Sequence, residues 1–243
     1  MPSSRCIVIG GTGSLGRVIC ETLAQRGAHV GFTFHRAEDV ARDLTDTLEG
    51  AQARRLDLTR TDDIAPVLEE LCAALGGLDA LVYAAGIAST LEPPAYDALA
   101  DLTEAGWDQL MAVNVRGAAF ACRASAVALG ESGGNIVLVG AVNGTKMVPA
   151  PVAYSASKAA LAGMAQALAK ELGPRCIRVN VVAPGVLEAG ASRTLPDELR
   201  AEYLKHAGLR RFGRFAEVAE LVAFLALDNT YVTGRSIALD GGL

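Results

Sequence analysis

The chain has 243 residues, 51% hydrophobic and 20% charged, with a formal net charge of -5. That length and apolar content suit one α/β domain with a sizeable core, spanning residues 1–243. The acidic balance gives no general attraction to phosphate polymers or anionic lipid, so neither nucleic acid nor a membrane is expected as a partner.

Short apolar runs alternate with longer stretches at helical spacing, the pattern of βαβ units on a parallel sheet. Cys6 to Ile9 is the first predicted strand and Leu15 to Gln25 the first helix. Between them lies Gly10-Gly11-Thr12-Gly13-Ser14-Leu15-Gly16, in which Gly11-x-Gly13-x-x-Gly16 joins a strand to a helix. Glycines at such a junction permit a tight turn and let the N–H groups of the helix start approach a pyrophosphate. A plain glycine-rich turn is the alternative, and the strand-turn-helix setting favours dinucleotide binding. The second strand, His29 to Phe34, runs into His35-Arg36, where an NAD-selective fold places a carboxylate. Arg36 can instead pair with a 2′-phosphate, which favours NADP(H), or it is a solvated charge.

Leu56-Asp57-Leu58 ends the predicted third strand. Asp57 is suited to accept a bond from the adenine amino group, or to cap the next helix, a role equally open to Thr59 and Thr61. Further helices are predicted over Asp63 to Leu75, Val115 to Leu129, Tyr154 to Leu172 and Ala216 to Leu225. Strands are predicted over Ala80 to Ala84, Ile136 to Val139, Arg178 to Ala183 and Ser236 to Leu239. Glu92-Pro93-Pro94 and Gly185 to Pro196 read as surface excursions, and loops at strand C-termini are where an open α/β sheet binds its ligands. No apolar run reaches membrane-spanning length, and Met1-Pro2-Ser3-Ser4-Arg5 lacks a secretory pattern. Cys6, Cys20, Cys72, Cys122 and Cys176 are scattered without CxxC spacing and read as buried thiols of a cytoplasmic protein, with no metal site expected.

Tyr154 and Lys158 stand four apart on a predicted helix and so share a face. An ammonium beside a phenol favours the phenolate, which makes Tyr154 a candidate general acid or base.

Taken together, these motifs resemble the short-chain dehydrogenase/reductase family over essentially the whole chain. The resemblance rests on the turn at Gly10 to Gly16, Asp57, Ala85-Gly86, Trp107-Asp108, Asn114, Tyr154 with Lys158, Asn180, Pro184-Gly185 and Asp240-Gly241-Gly242, all in the family's order. It implies a single-domain, Rossmann-type, doubly wound parallel sheet with helices on both faces. Within the family the chain looks most like β-ketoacyl-(acyl carrier protein) reductases and polyketide ketoreductases, which reduce a 3-oxoacyl thioester to the 3-hydroxyacyl form. By that resemblance Tyr154 is the proton donor, Lys158 holds the nicotinamide ribose and lowers the tyrosine pKa, and Asn114 anchors a water. The cofactor set implied is Gly10, Thr12, Gly13, Ser14, Leu15, Gly16, His35, Arg36, Asp57, Leu58, Ala85, Gly86, Tyr154, Lys158, Pro184, Gly185, Val186 and Leu187. Asn180 is expected to be structural. A substrate lid is expected over about 187–212, carrying Arg193, Arg200, Lys205, Arg210 and Arg211, which could meet an acidic carrier or form a solvated face. Arg175 falls where carrier-protein reductases have a docking arginine, while their second basic position falls on Ser132. The apolar helices resemble those at the interface of family tetramers, so a homotetramer or homodimer is expected.

Departures accompany the agreements. The family's catalytic serine, thirteen residues before the tyrosine, is Ala141 here. Three readings stand: an engineered replacement, a natural variant using another donor such as Asn143, or loss of catalysis. Tyr83-Ala84-Ala85-Gly86 replaces the usual Asn-Asn-Ala-Gly, Ser14 takes the middle glycine's place, and Ala189 stands where many relatives have Thr. An alcohol or sugar dehydrogenase and a low-turnover NADP-binding protein are the alternative functions.

Overall fold

Seven strands form one parallel sheet in the order β3-β2-β1-β4-β5-β6-β7 in this computed structural model, which describes residues 3–89, 99–130, 133–190 and 195–243. They are β1 (Arg5–Ile9), β2 (His29–Phe34), β3 (Gln52–Arg55), β4 (Ala80–Tyr83), β5 (Gly134–Val139), β6 (Ile177–Pro184) and β7 (Ser236–Leu239). The third strand ends at Arg55, so the sequence expectation is corrected: Asp57 lies in the turn that follows. Burial on both faces explains why β1, β4, β5 and β6 are largely apolar. Alternate residues point to opposite sides, with Cys6, Val8, Ala80 and Val82 in one core and Ile7, Ile9, Leu81 and Tyr83 in the other.

The first core is closed by α1 (Ser14–Gln25), α2 (Glu38–Thr47) and α8 (Phe215–Ala223). The second is closed by α3 (Thr61–Leu75), α5 (Gly117–Leu129) and α6 (Val152–Leu172). Two further helices, α4 (Glu104–Met111) and α7 (Asp197–His206), lie nearer the site. Strand order reverses beside β1, whose neighbours are β2 and β4. The crevice beyond the C-termini of β1 and β4 is therefore the ligand-binding position of such a sheet.

The helix predicted to start at Val115 starts earlier. α4 and α5 are joined through a π-turn, Ala112–Arg116, whose flanking residues all keep right-handed helical dihedrals. Asn114 thus sits in mid-helix at the widened turn, and such π-bulges are frequent at functional sites. The buried Tyr83 hydroxyl donates to the Val113 carbonyl in that turn at 2.5 Å. The expected buried thiols need one correction. Cys6, Cys20 and Cys122 are buried, but Cys72 is half-buried and Cys176 exposed, the last at a φ of 56° in the turn before β6. Burial pushes the Cys6 and Cys122 thiols up to about 12, which leaves them unreactive near neutrality.

Among the described residues no helix is long and apolar enough to cross a membrane, and no group of three or more His, Cys, Asp or Glu could hold a metal ion. Arg175 is half-buried and its Nη2 donates to the carbonyls of Ala126 and, at 3.1 Å, Gly130, so it closes the C-terminus of α5. Ser132 and Arg193 lie outside the described residues, as do Glu92, Pro93 and Pro94. Arg175→Ala should cost about 1 kcal/mol and lower Tm by about 3 °C in thermal unfolding, because it removes an outer charge-assisted cap.

Candidate active site

The turn after β1 is built for close approach. Gly10 takes a φ of 85°, and a Cβ there would meet Ala85 at 2.8 Å. A Cβ on Gly16 would collide with the Gly10 carbonyl oxygen, so α1 begins against the turn itself. Thr33 on β2 fixes the arrangement: its Oγ1 accepts from Gly10 N–H at 3.1 Å and its carbonyl accepts from Gly11 N–H at 2.9 Å. The N-cap of α1, Gly13, supplies no side-chain bond, and the first turn holds no acid. Its N–H groups and the positive end of the helix dipole thus suit a pyrophosphate, with Thr12, Ser14 and Leu15 around them.

His35 and Arg36 are exposed just beyond β2. Arg55 Nε donates to the His35 carbonyl at 3.1 Å, and His35 Nε2 lies 3.7 Å from Asp57 Oδ2. Asp57 Oδ1 accepts from the N–H of Thr59 at 3.0 Å and from its hydroxyl at 2.7 Å. Those bonds, with His35 and Arg60 nearby, hold the Asp57 carboxyl below its usual range. The alternative of a helix cap is not what forms, since the N-cap of α3 is Arg60 with no side-chain bond. Leu58 packs against the second core and Leu187 is buried in the first.

The catalytic candidates converge from three elements. Tyr154 and Lys158 lie in the first two turns of α6, with Lys158 Nζ 5.6 Å from the Tyr154 ring centre. Lys158 is only 6% exposed, and its Nζ donates to the Val139 carbonyl at 3.0 Å. Burial lowers its pKa to about 8, which still leaves most of the ammonium protonated at pH 7. Asn114, wholly buried, donates from Nδ2 to the Ile87 carbonyl and to Ser157 Oγ, and its Oδ1 accepts from Ile87 N–H. These bonds fold the Ala85-Gly86 segment over Lys158. A Cβ on Gly86 would lie 3.2 Å from Lys158 Nζ and 3.4 Å from Asn114 Oδ1, so this glycine keeps open the space where a cofactor sugar would sit.

Beside Tyr154 opens a cavity of about 410 Å³, lined by Ala141, Val142, Asn143, Met147, Val148, Pro149, Pro184, Gly185, Val186, Leu195, Leu199 and Leu243, among others. Its wall is largely apolar, with Glu202 and His206 among its polar members. Leu195, Leu199, Glu202, Tyr203 and His206, from the stretch expected as a lid, line it; α7 is held down by Tyr203, whose hydroxyl donates to the Asp240 carbonyl at 2.8 Å and whose ring stacks on Phe212. The lid's cations have local partners, Arg200 over the Phe212 ring, Lys205 with Glu202, Arg210 with backbone carbonyls, and Arg211 with Glu217.

The family model described as enoyl-(acyl carrier protein) reductase matches residues 10–243. The chain belongs to the short-chain dehydrogenase/reductase family. It is 36% identical over 250 residues to the 3-oxoacyl-(acyl-carrier-protein) reductase FabG of Thermotoga maritima, covering 98% of this chain and 96% of that protein. A dehydrogenase/reductase from Sinorhizobium meliloti superposes with a TM-score of 0.90 at 34% identity, covering 100% of this chain and 95% of the other. A short-chain dehydrogenase from Burkholderia cenocepacia, solved in complex with NADP, gives 0.89 at 33%, covering 98% and 97%.

Against that family, the structure gives positioning contacts to residues for which the sequence reading offers no such role. Tyr83 props the π-turn that carries Asn114, Thr33 ties down the glycine turn, and Ser157 links Asn114 to α6, its own hydroxyl donating to the Tyr154 carbonyl at 2.8 Å. Asn180 is structural as expected, bonding Val232 and Arg235 ahead of β7. Lys146, beside the lining residue Met147, reaches Asp240; burial pushes the Asp240 carboxyl up, but bonds from Lys146 and Gly242 outweigh it and hold the group below its usual range.

A buried lysine with a lowered pKa costs stability. The unfolded chain binds its proton up to the model-peptide value of 10.5, whereas the folded chain releases it near 8. The penalty, roughly 3 kcal/mol at most, is complete below pH 8 and fades between 8 and 10.5. Lys158→Met should therefore be more stable than the parent at pH 7 in urea unfolding, and that advantage should shrink as pH rises to 10.

Proposed function

We propose that this chain is an NADPH-dependent reductase of a 3-oxoacyl thioester, in cytoplasmic fatty-acid-like or polyketide synthesis. The observation that carries the reading is the convergence of Tyr154, Lys158 and Asn114 between an uncapped glycine-turn helix and a largely apolar cavity of about 410 Å³. The FabG name of the Thermotoga maritima relative and the NADP bound in the Burkholderia cenocepacia structure support substrate and cofactor.

The turn at Gly10 to Gly16 would hold the pyrophosphate, Asp57 the adenine, Arg36 with His35 the 2′-phosphate, and Lys158 the nicotinamide ribose. Ala85, Gly86 and the Pro184 to Leu187 segment would flank the rest. When bound, the cofactor supplies a hydride, and with it the two electrons that reduce the ketone carbon. Tyr154 gives its phenolic proton to the carbonyl oxygen, so a C–H and an O–H bond form and the C=O π bond is lost. The Lys158 ammonium beside the ring stabilises the phenolate left behind. Its burial strengthens that attraction, since little water screens the pair.

A carrier-protein-bound substrate is the finer part of the proposal. Arg175 has one nitrogen occupied by α5 carbonyls, and its remaining surface is what a carrier would meet. Assembly as a homodimer or homotetramer belongs here too, through outer faces of α5 and α6 where Val127 and Val152 are exposed.

With an acetoacetyl thioester, NADPH consumption followed by its fluorescence should be seen, and Tyr154→Phe should lower kcat by about 10²–10⁴-fold. Turnover of free alcohols or sugars with indifference to the thioester would make this an alcohol or sugar dehydrogenase; NADPH binding without turnover would make it a binding protein. Arg36→Glu should raise the KM for NADPH at least about tenfold and leave that for NADH unchanged, a difference of about 1.4 kcal/mol in binding; equal effects on both would remove Arg36 from the phosphate site.

A further inference from the structure

We propose that the side-chain amide of Asn143 donates the hydrogen bond to the substrate carbonyl that a hydroxyl at position 141 would otherwise give. This rests on the reductase reading above. Ala141 and Asn143 line the same cavity as Tyr154, so a carbonyl oxygen presented to the tyrosine lies on the wall to which both belong. An amide nitrogen carries two donors. One of those on Asn143 goes to Ser155 Oγ at 3.2 Å, and the other has no partner among the described residues.

That bond also fixes where the amide sits. Ser155 follows Tyr154 directly on α6, so Asn143 is tied to the helix that carries the acid. The turn holding Asn143 is itself rigid. Val142–Gly144 is a single helical turn closed by Gly144 N–H on the Ala141 carbonyl at 3.0 Å, and Val142 beneath it is buried. Gly144 rests directly on α6, where a Cβ would meet the Lys158 carbonyl carbon at 2.7 Å. The donor is thus anchored at both ends before substrate arrives, which is what lets a hydrogen bond act on developing charge without reorganisation. During reduction the carbon gains the hydride and the oxygen gains the Tyr154 proton. Asn143 keeps both its protons and only donates to the oxygen as negative charge builds.

Position 141 itself is extended, with φ -163° and ψ 154°, and half-buried against the cavity. A serine is accommodated there without backbone strain, which permits a rescue test. The probe is the N-acetylcysteamine thioester of acetoacetate, carrying ¹³C at the ketone and bound to the protein loaded with NADP⁺, where no turnover occurs. In the infrared difference spectrum, Asn143→Ala should move the ketone band to higher wavenumber, and adding Ala141→Ser should return it. With NADPH, Asn143→Ala should lower kcat by about 10²–10³-fold, largely recovered in the double variant. Asn143→Asp, which keeps the volume and removes both donors, should shift the band likewise and covers any disturbance of the turn by alanine. A band unmoved in both single variants, with the probe bound, overturns the assignment and leaves the reductase reading standing. Failure of the probe to bind the NADP⁺-loaded parent chain overturns the reductase reading and this assignment together.

Discussion

An ammonium shut away from water between β5 and α6 is the constraint to which the rest of the site answers. Lys158 gives up most of its hydration, and one carbonyl, that of Val139, returns part of it. An ammonium so placed has two further donors to satisfy, and the space kept open by Gly86 is where a sugar hydroxyl would meet them. Asn114 holds that space by binding both polar groups of Ile87, and Tyr83 holds Asn114's turn from below. The cost of burying the charge thus organises strand, π-turn and loop around one point. The same desolvation makes the charge effective on the Tyr154 ring.

What was legible in the sequence follows from how strongly each feature is over-determined. β1, β4, β5 and β6 are buried on both faces, and their apolar runs admit few other readings. The glycine turn and the Tyr154/Lys158 pair carry spacing that only one geometry uses. By contrast α2, Glu38–Thr47, and α7, Asp197–His206, fall outside the predicted helices, because each buries only one or two residues of a largely polar stretch. The join of α4 to α5 was also missed. A π-turn shifts the phase of the helical repeat by one residue, so the pattern is readable only from Val115, within the turn, onward. The end of the third strand is expected at Leu58 but falls at Arg55, since Gln52–Arg55 is more polar than the Leu56 that follows.

The contacts that sequence reading could not reach are those between residues far apart in the chain. Tyr83 and Val113 are thirty residues apart and Asn114 and Ser157 forty-three, and neither pair has a spacing rule. Tyr83 stands out in the sequence as a departure from the family's usual amide. The structure shows a gain in its place: a fully buried hydroxyl with a carbonyl partner in the turn that carries Asn114. A buried phenol without such a partner would cost about 1–3 kcal/mol, so the substitution at residue 83 and the geometry of the π-turn are mutually dependent.

The two halves of the crevice differ in how much change they tolerate. On the cofactor side, side chains or carbonyls stand within 3 Å of where a Cβ on Gly10, Gly11 or Gly16 would be, so substitution there meets backbone or packed rings. On the substrate side the wall is made of Met147, Val148, Leu195 and Leu199, flexible apolar groups that can be exchanged at small cost, with Met147 fully exposed. Divergence within the family is therefore expected to fall on the second half, and Ala141 lies there. A donor lost from such a wall can be replaced only by a polar group already held rigidly in it. Asn143 is held by Ser155 on one side and, through Gly144, by the backbone of α6 on the other. The turn that brings it there is fixed by the same helix that fixes the acid. Moving the donor by two residues therefore leaves the distance between donor and acid under the control of one rigid element.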